Sequence, residues 1–289
     1  MLRSLYSGIS GMKNFQTKLD VIGNNISNVN TYGFKKGRTT FSDLISQTSA
    51  GATAPSATTG GINPKQIGLG SQISSIDTIA TQGSMQTTGR VLDLAISGEG
   101  YFVVEDSAGS SFFTRSGNFY LDGDRNIVSS NGMTLQVANG ITGFTQAGVT
   151  RAGANAVSGT KIPDTAQSFS ISADGKITYV DSNGDTQDAG QILMAKVSNP
   201  EGLTKVGANM YQESNNSGSL AGLPNVFGGL VLSGNAGSGT INSGFLEMSN
   251  VDLSEEFTEM IVSQRGFQAN TKIITTSDEI LQELVNLKR

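Results

Sequence analysis

The stretch VDLSEEFTEMIVSQRGFQANTKIITTSDEILQELVNLKR, residues 251–289, contains no proline and a single glycine, Gly266. Asp252 reads as a helix N-cap. Glu255, three residues on, completes a capping-box pattern with a carboxylate in the cap position. Nothing later in the stretch stops a helix, which predicts about 36 residues, or ~54 Å at ~1.5 Å per residue. Leu253, Met260, Phe267, Ile274 and Leu281 recur every seven residues, and Phe257, Ile261, Leu284 and Val285 widen the stripe. The alternate positions of that seam, Gln264, Thr271 and Asp278, are polar. The pattern predicts half of a coiled-coil seam, which needs a partner.

That partner is expected at the other end of the chain. Leu5, Met12, Leu19 and Ile26 are also seven apart, and Ile9, Ile22 and Val29 broaden their face. Gly8, Gly11 and Gly23 each weaken such a helix by ~1 kcal/mol relative to Ala, so it needs its face covered. Asn24, Asn25, Asn28 and Asn30 crowd its end, where side-chain amides compete for backbone hydrogen bonds and stop the helix. Leu5, Ile9, Met12, Leu19, Ile22, Ile26, Phe257, Met260, Phe267, Ile274, Leu281 and Leu284 are therefore the candidate assembly residues. They either form an ordinary antiparallel pair or meet neighbouring chains.

Composition excludes much chemistry. Among 289 residues there is no Cys, no His and no Trp, while Gly numbers 37 and charged residues are only 15%. Disulfides, thiolate zinc sites, cysteine nucleophiles, imidazole acid–base catalysis and Ser-His-Asp triads are all impossible. A net charge of −5 offers no basic field for nucleic acid. Lys35, Lys36 and Arg38 form the one tight basic cluster, read as a solvated turn or a local salt contact. No apolar run is long enough to span a membrane, and no secretory signal peptide opens the sequence. Asp122–Asn126 and Asp181–Asp185 begin like calcium loops. They lack the glycine and glutamate that such loops need at the sixth and twelfth positions, so both read as turns. Glu99 and Asp93 flank a predicted strand turn, but no second carboxylate is placed to complete a hydrolytic pair. No catalytic, metal or cofactor residue is assigned.

Between the ends the pattern changes. Residues 39–70 read as a linker-like arm, with Phe41, Leu44 and Ile45 as anchors of a short helix. From Ser71 a two-residue period takes over. Leu92, Leu94 and Ile96, then Tyr101–Val104, predict two strands joined through Gly98-Glu99-Gly100. Gly83–Gly89 reads as a loop. Asp174-Gly175 predicts the turn of a hairpin over Phe169–Val180, and 192–197 predicts a further strand. Residues 139–165 read as a loop or small extension, and 222–244 as a glycine-rich arm. The expected fold class is α+β. A coiled-coil-like inner domain would comprise 1–70 and 251–289, and a β-rich outer domain with hairpins would comprise 71–250.

Three blocks carry a family resemblance. Ser4–Met12 together with NNISNVNTYGFK (24–35) resembles the N-terminal signature of bacterial flagellar rod and hook axial proteins. Thr88–Val104, Phe112–Phe119 and 127–135 resemble the core motif of that family, and Phe245–Leu253 with Met260–Phe267 its C-terminal signature. The resemblance implies a non-enzymatic structural subunit that forms a helical homopolymer: a curved hollow hook tube acting as a universal joint, or alternatively the straight distal rod. The chain is short for a hook subunit. Implied partners are further copies of itself, the distal rod, hook–filament junction proteins, the hook cap and the flagellar export apparatus. The implied location is the extracellular hook or basal body, reached without a cleaved signal peptide. A secreted adhesin on a helical stalk is the reading from another class.

Overall fold

The computed structural model describes residues 2–55, 60–138, 157–159, 161–218, 230–234 and 237–287. The fold is α+β. The chain divides into two compact units, one of Met1–Ser27, Lys36–Ile79 and Val251–Arg289, the other of Asn28–Lys35 and Ala80–Asn250. Most of the loop expected over 139–165, and residues 222–229 of the glycine-rich arm, lie outside the described residues.

The first unit is built on two helices, α1 (Leu2–Ser27) and α2 (Leu253–Leu287). Asp252 caps α2 as expected: its Oδ1 accepts from the amides of Ser254 at 2.8 Å and Glu255 at 3.4 Å. The acidic residues Glu255 and Glu256 in the first turn suit the positive end of the helix dipole. The segment expected as an arm is instead paired. Gly37–Asp43 runs antiparallel to Ser71–Thr78, and Gln47–Ala50 to Lys65–Ile67. Phe41 therefore sits in a strand rather than a short helix. Asn25 fixes where that strand begins: its side-chain amide donates to the Gly37 carbonyl and accepts from the Gly37 amide, each at 2.9 Å. Asn14 donates to Ser71 Oγ at 2.8 Å, and Phe15 packs against Phe41 with ring centroids 6.2 Å apart.

The second unit is a β structure. Its main antiparallel sheet runs, in spatial order, Ser168–Ile171, Lys176–Val180, Thr186–Ala195, Thr134–Ala138, Tyr101–Glu105, Ser111–Thr114, Met210–Gln212 and Thr204–Gly207. The Asp174-Gly175 hairpin forms as predicted, with Ser168 opposite Val180 and Ile171 opposite Ile177. Asp122–Asn126 and Asp181–Asp185 are turns closed by Asp122 N to Asn126 O and Asp181 N to Asp185 O bonds. The apolar run 101–104 is buried on both sides of the sheet. Phe102 and Val104 enter a core with Leu94, Ile96, Phe119, Ile192 and Met194. Tyr101 and Val103 enter a second core with Phe113, Leu203 and Tyr211. A strand covered on both faces has no polar alternation, hence its unbroken apolar sequence. The glycine-rich region 83–89 is not all loop: Met85–Thr87 pairs with Phe245–Glu247.

Candidate assembly site

The α1–α2 pair is antiparallel, and its register follows from close approaches. A Cβ placed on Gly8 would sit 3.2 Å from Ile274, one on Gly11 2.9 Å from the Asn270 amide, and one on Gly266 2.6 Å from the Phe15 ring. Lys18 pairs with Glu259 at 3.0 Å, and Asn25 donates to Glu256 Oε2 at 3.1 Å. The seam of α1 is thus Gly8, Gly11, Phe15, Lys18, Ile22 and Asn25. That of α2 is Glu256, Met260, Ser263, Phe267, Asn270, Ile274, Ser277 and Leu281. Both alternate three and four residues, the spacing of a left-handed pair.

Of the residues singled out in the sequence, Met260, Phe267, Ile274 and Leu281 lie half-buried on the seam, and Ile22 is buried. Leu5, Met12, Leu19 and Ile26 are half-buried and lie one position beside the α1 seam. Phe257, Leu284 and Ile9 are exposed. The alternate row of α2 is Glu256, Ser263, Asn270 and Ser277, one residue before the Gln264, Thr271 and Asp278 row. Gly8 and Gly11 take the α1 seam where the helices come closest, against Ile274 and Asn270. Gly8 and Gly11, three residues apart in an otherwise helical stretch, were the signal for it.

Much of the apolar surface of α2 faces away from α1. Leu253, Phe257, Ile261, Val262, Ile273, Ile280, Leu284, Val285 and Leu287 are all exposed, Leu287 to 82%. Stepping ~100° per residue, Leu253, Phe257 and Ile261 fall on one flank of the seam. Ile273, Ile280, Leu284 and Leu287 fall on the other. A helix with two separate bare apolar flanks offers two different surfaces to partners.

Burial of Glu256 raises its carboxyl pKa above 4.5. The Asn25 bond and Lys36 oppose the shift, while Glu259 and Glu255 add to it. A raised carboxyl binds protons more readily folded than unfolded, so stability falls as pH rises through that interval. Acidification from neutrality toward about pH 5 is expected to raise the helix melting temperature of the wild type more than that of Glu256→Gln. Far-ultraviolet circular dichroism of both chains checks it, and equal responses would contradict it.

The second unit holds a buried charge cluster that the sequence did not announce. Lys35 is not in a solvated turn: its side chain is 1% exposed, and its Nζ lies 2.6 Å from Glu247 Oε1. Lys36 instead pairs with Glu255 at 2.8 Å, and the exposed Arg38 lies 3.5 Å from Asp77. Lys35 also donates to the Thr81 carbonyl at 2.8 Å. Arg115 donates from Nη1 to Glu247 Oε2 at 3.2 Å and from Nη2 to the Gly98 carbonyl at 2.8 Å. Its guanidinium also lies 5.3 Å from the Tyr101 ring centre. Burial lowers the Lys35 pKa, and Glu247 opposes that shift. Gly33 occupies the left-handed region at φ 70°, and a Cβ there would meet the Arg115 carbonyl carbon at 2.6 Å. The hairpin Thr204–Gln212 covers the same segment: Asn209 donates to the Tyr32 carbonyl at 2.9 Å, and Lys205 stands 5.3 Å from the Phe34 ring centre. Lys35 and Glu247 are 212 positions apart, so no local pattern could reveal the pair. Among the described residues no cluster of acidic side chains is arranged to hold a metal ion, and no helix is long and apolar enough to cross a membrane.

Three family models match the chain: "Flagella basal body rod protein" over residues 5–35, "Flagellar hook protein FlgE/F/G D1 domain" over 95–179, and "Flagellar basal body rod FlgEFG protein C-terminal" over 242–287. The chain is 58% identical to the flagellar basal-body rod protein FlgG of Bacillus subtilis over 291 aligned positions covering 100% of both chains. It is 37% identical to FlgG of Borreliella burgdorferi over 293 positions, again covering 100% of each. The flagellar hook protein FlgE of Borreliella burgdorferi is 32% identical in an alignment of 450 positions, with 100% of both chains covered.

Proposed function

Because the chain belongs to the family of bacterial flagellar rod and hook axial proteins, we propose that it is a structural subunit of the distal rod, the drive shaft of the basal body. The observation that carries this reading is the 58% identity to a basal-body rod protein over the full length of both chains. The hook relative aligns only across 450 positions, far more than the 289 residues present. The rod reading therefore takes precedence over the hook reading expected from the sequence.

The mechanism rests on α2. Its two bare apolar flanks are different surfaces, so one copy meets the next through unlike faces. Such heterologous contacts do not close into a pair but continue as a helical polymer. Burial of each exposed Leu, Ile or Phe contributes about 1.5–3 kcal/mol. Copies of the chain itself are the principal partners, with the export apparatus and the adjoining axial proteins at the ends of the shaft. The site of action is the flagellum, reached through the flagellar export route.

Deleting the gene tests the assignment. Cells are expected to be non-motile, and electron micrographs of extracted basal bodies are expected to show a truncated shaft bearing no hook. A complete shaft that lacks only its hook would instead identify a hook subunit.

A further inference from the structure

The chain passes between its two units at 27/28, 35/36, 79/80 and 250/251. Within the β unit these passages end in three short segments, Asn28–Lys35, 80–84 and 247–250. All three meet at one residue. The Glu247 carbonyl accepts from the Gly33 amide at 2.8 Å. Its Oε1 accepts from Lys35 Nζ at 2.6 Å and from the Gly83 amide at 2.9 Å. Its Oε2 accepts from Arg115. Lys35 in turn holds the Thr81 carbonyl, and Asn250 donates to Thr81 Oγ1 at 3.0 Å. Met248 N closes the set on Ser84 O at 2.8 Å. Gly83 is held so closely that a Cβ there would lie 2.0 Å from the Met248 carbonyl oxygen.

We propose that Glu247 is a junction lock: a positioning residue that fixes together all the segments by which the chain enters and leaves the β unit. The chemistry explains why a charge stands there. A buried ion cluster is often no more stabilising than apolar side chains of the same size, so its value lies in what it specifies. Apolar groups tolerate imperfect docking. A buried carboxylate does not, because an oxygen left without its donor carries the full desolvation penalty. Glu247 is satisfied only when Gly33 and Lys35, Gly83, and Arg115 are all seated. The segment that follows α1 and the strand that precedes α2 therefore dock as one event. This inference does not depend on the rod assignment.

Amide hydrogen exchange on the full chain carrying Lys35→Met tests it. That substitution leaves Glu247 and Arg115 as a balanced pair and removes neither the Gly33 nor the Gly83 bond. The lock predicts that both amides nevertheless exchange faster together, by at least ~10-fold, as one opening unit. The Leu94 and Ile192 amides, bonded to Gly117 and Gly175 in the core, should stay protected. Lys35→Arg, which keeps the charge, should open the same set to a smaller degree and serves if the Met variant does not fold. Unchanged exchange at Gly33 and Gly83, or faster exchange at one without the other, would overturn the proposal. So would equal loss of protection across the β unit, which would make Glu247 an ordinary core residue.

Discussion

Glu247→Gln is expected to lower the stability of the β unit by about 3–5 kcal/mol, the usual effect of stripping the counter-ion from buried charges. Lys35 and Arg115 are 1% and 5% exposed in their side chains, and both pair with that carboxylate. A glutamine preserves shape but leaves two buried cations without an anion. One of its two terminal atoms also becomes a donor facing Lys35 Nζ, the Gly83 amide or Arg115. Lys35→Met should cost less, about 1–3 kcal/mol, because a neutral Glu247–Arg115 pair survives and the main loss is the Thr81 carbonyl bond. Glu247→Gln should therefore be the more destabilised of the two variants. Urea unfolding followed by tyrosine fluorescence measures it, since Tyr101 and Tyr211 are buried beside the cluster with ring centroids 5.7 Å apart. Equal losses, or a larger loss for Lys35→Met, would show that charge balance is not what holds these segments.

The second large effect is on assembly rather than folding. Phe257 and Ile261 are 49% and 59% exposed, so Phe257→Asp/Ile261→Asp should change monomer stability by no more than about 0.5 kcal/mol. In the proposed polymer the same side chains would face a neighbouring copy. Removing them forfeits about 1.5–3 kcal/mol each, and burying two carboxylates in their place adds a desolvation penalty. Subunit association is then weakened by at least ~100-fold. A deletion strain complemented with this variant should swim no better than the deletion strain, although the protein folds and is made at normal levels. Thr258→Asp, at an exposed polar position of the same helix, is the matched control and should restore swimming. Full motility with the double variant would mean that this flank of α2 contacts nothing in the assembled structure.

The two helices were legible because their signals are local: a seven-residue apolar repeat, an Asp252 cap and asparagines crowding the end of α1. The same holds for the Asp174-Gly175 hairpin and for Tyr101–Val104, whose unbroken apolar run is what burial on both faces requires. The register of the helix pair was not legible from hydrophobicity. Counting apolar residues placed the α1 seam on Leu5, Met12, Leu19 and Ile26. The structure places it on Gly8, Gly11, Phe15, Lys18, Ile22 and Asn25, with glycine where a Cβ would crowd Ile274 and Asn270. Leu5, Met12, Leu19 and Ile26 lie one position beside that row, half-buried. Phe41 was read as part of a helix, yet strand pairing with 71–78 and the Asn25 bonds to Gly37 override that local preference. Lys35 looked like a surface residue because its neighbours Lys36 and Arg38 are charged. Its partners, Glu247 and Thr81, are brought to it only by the fold.

Immunogold electron microscopy of intact hook–basal bodies tests most directly whether this chain builds the shaft of the basal body. With the outer structures stripped enough to admit antibody raised to residues 70–250, label is expected along the distal part of the straight shaft and absent from the curved hook. Label confined to the curved segment would return the chain to the hook. Label on neither would contradict an axial role altogether.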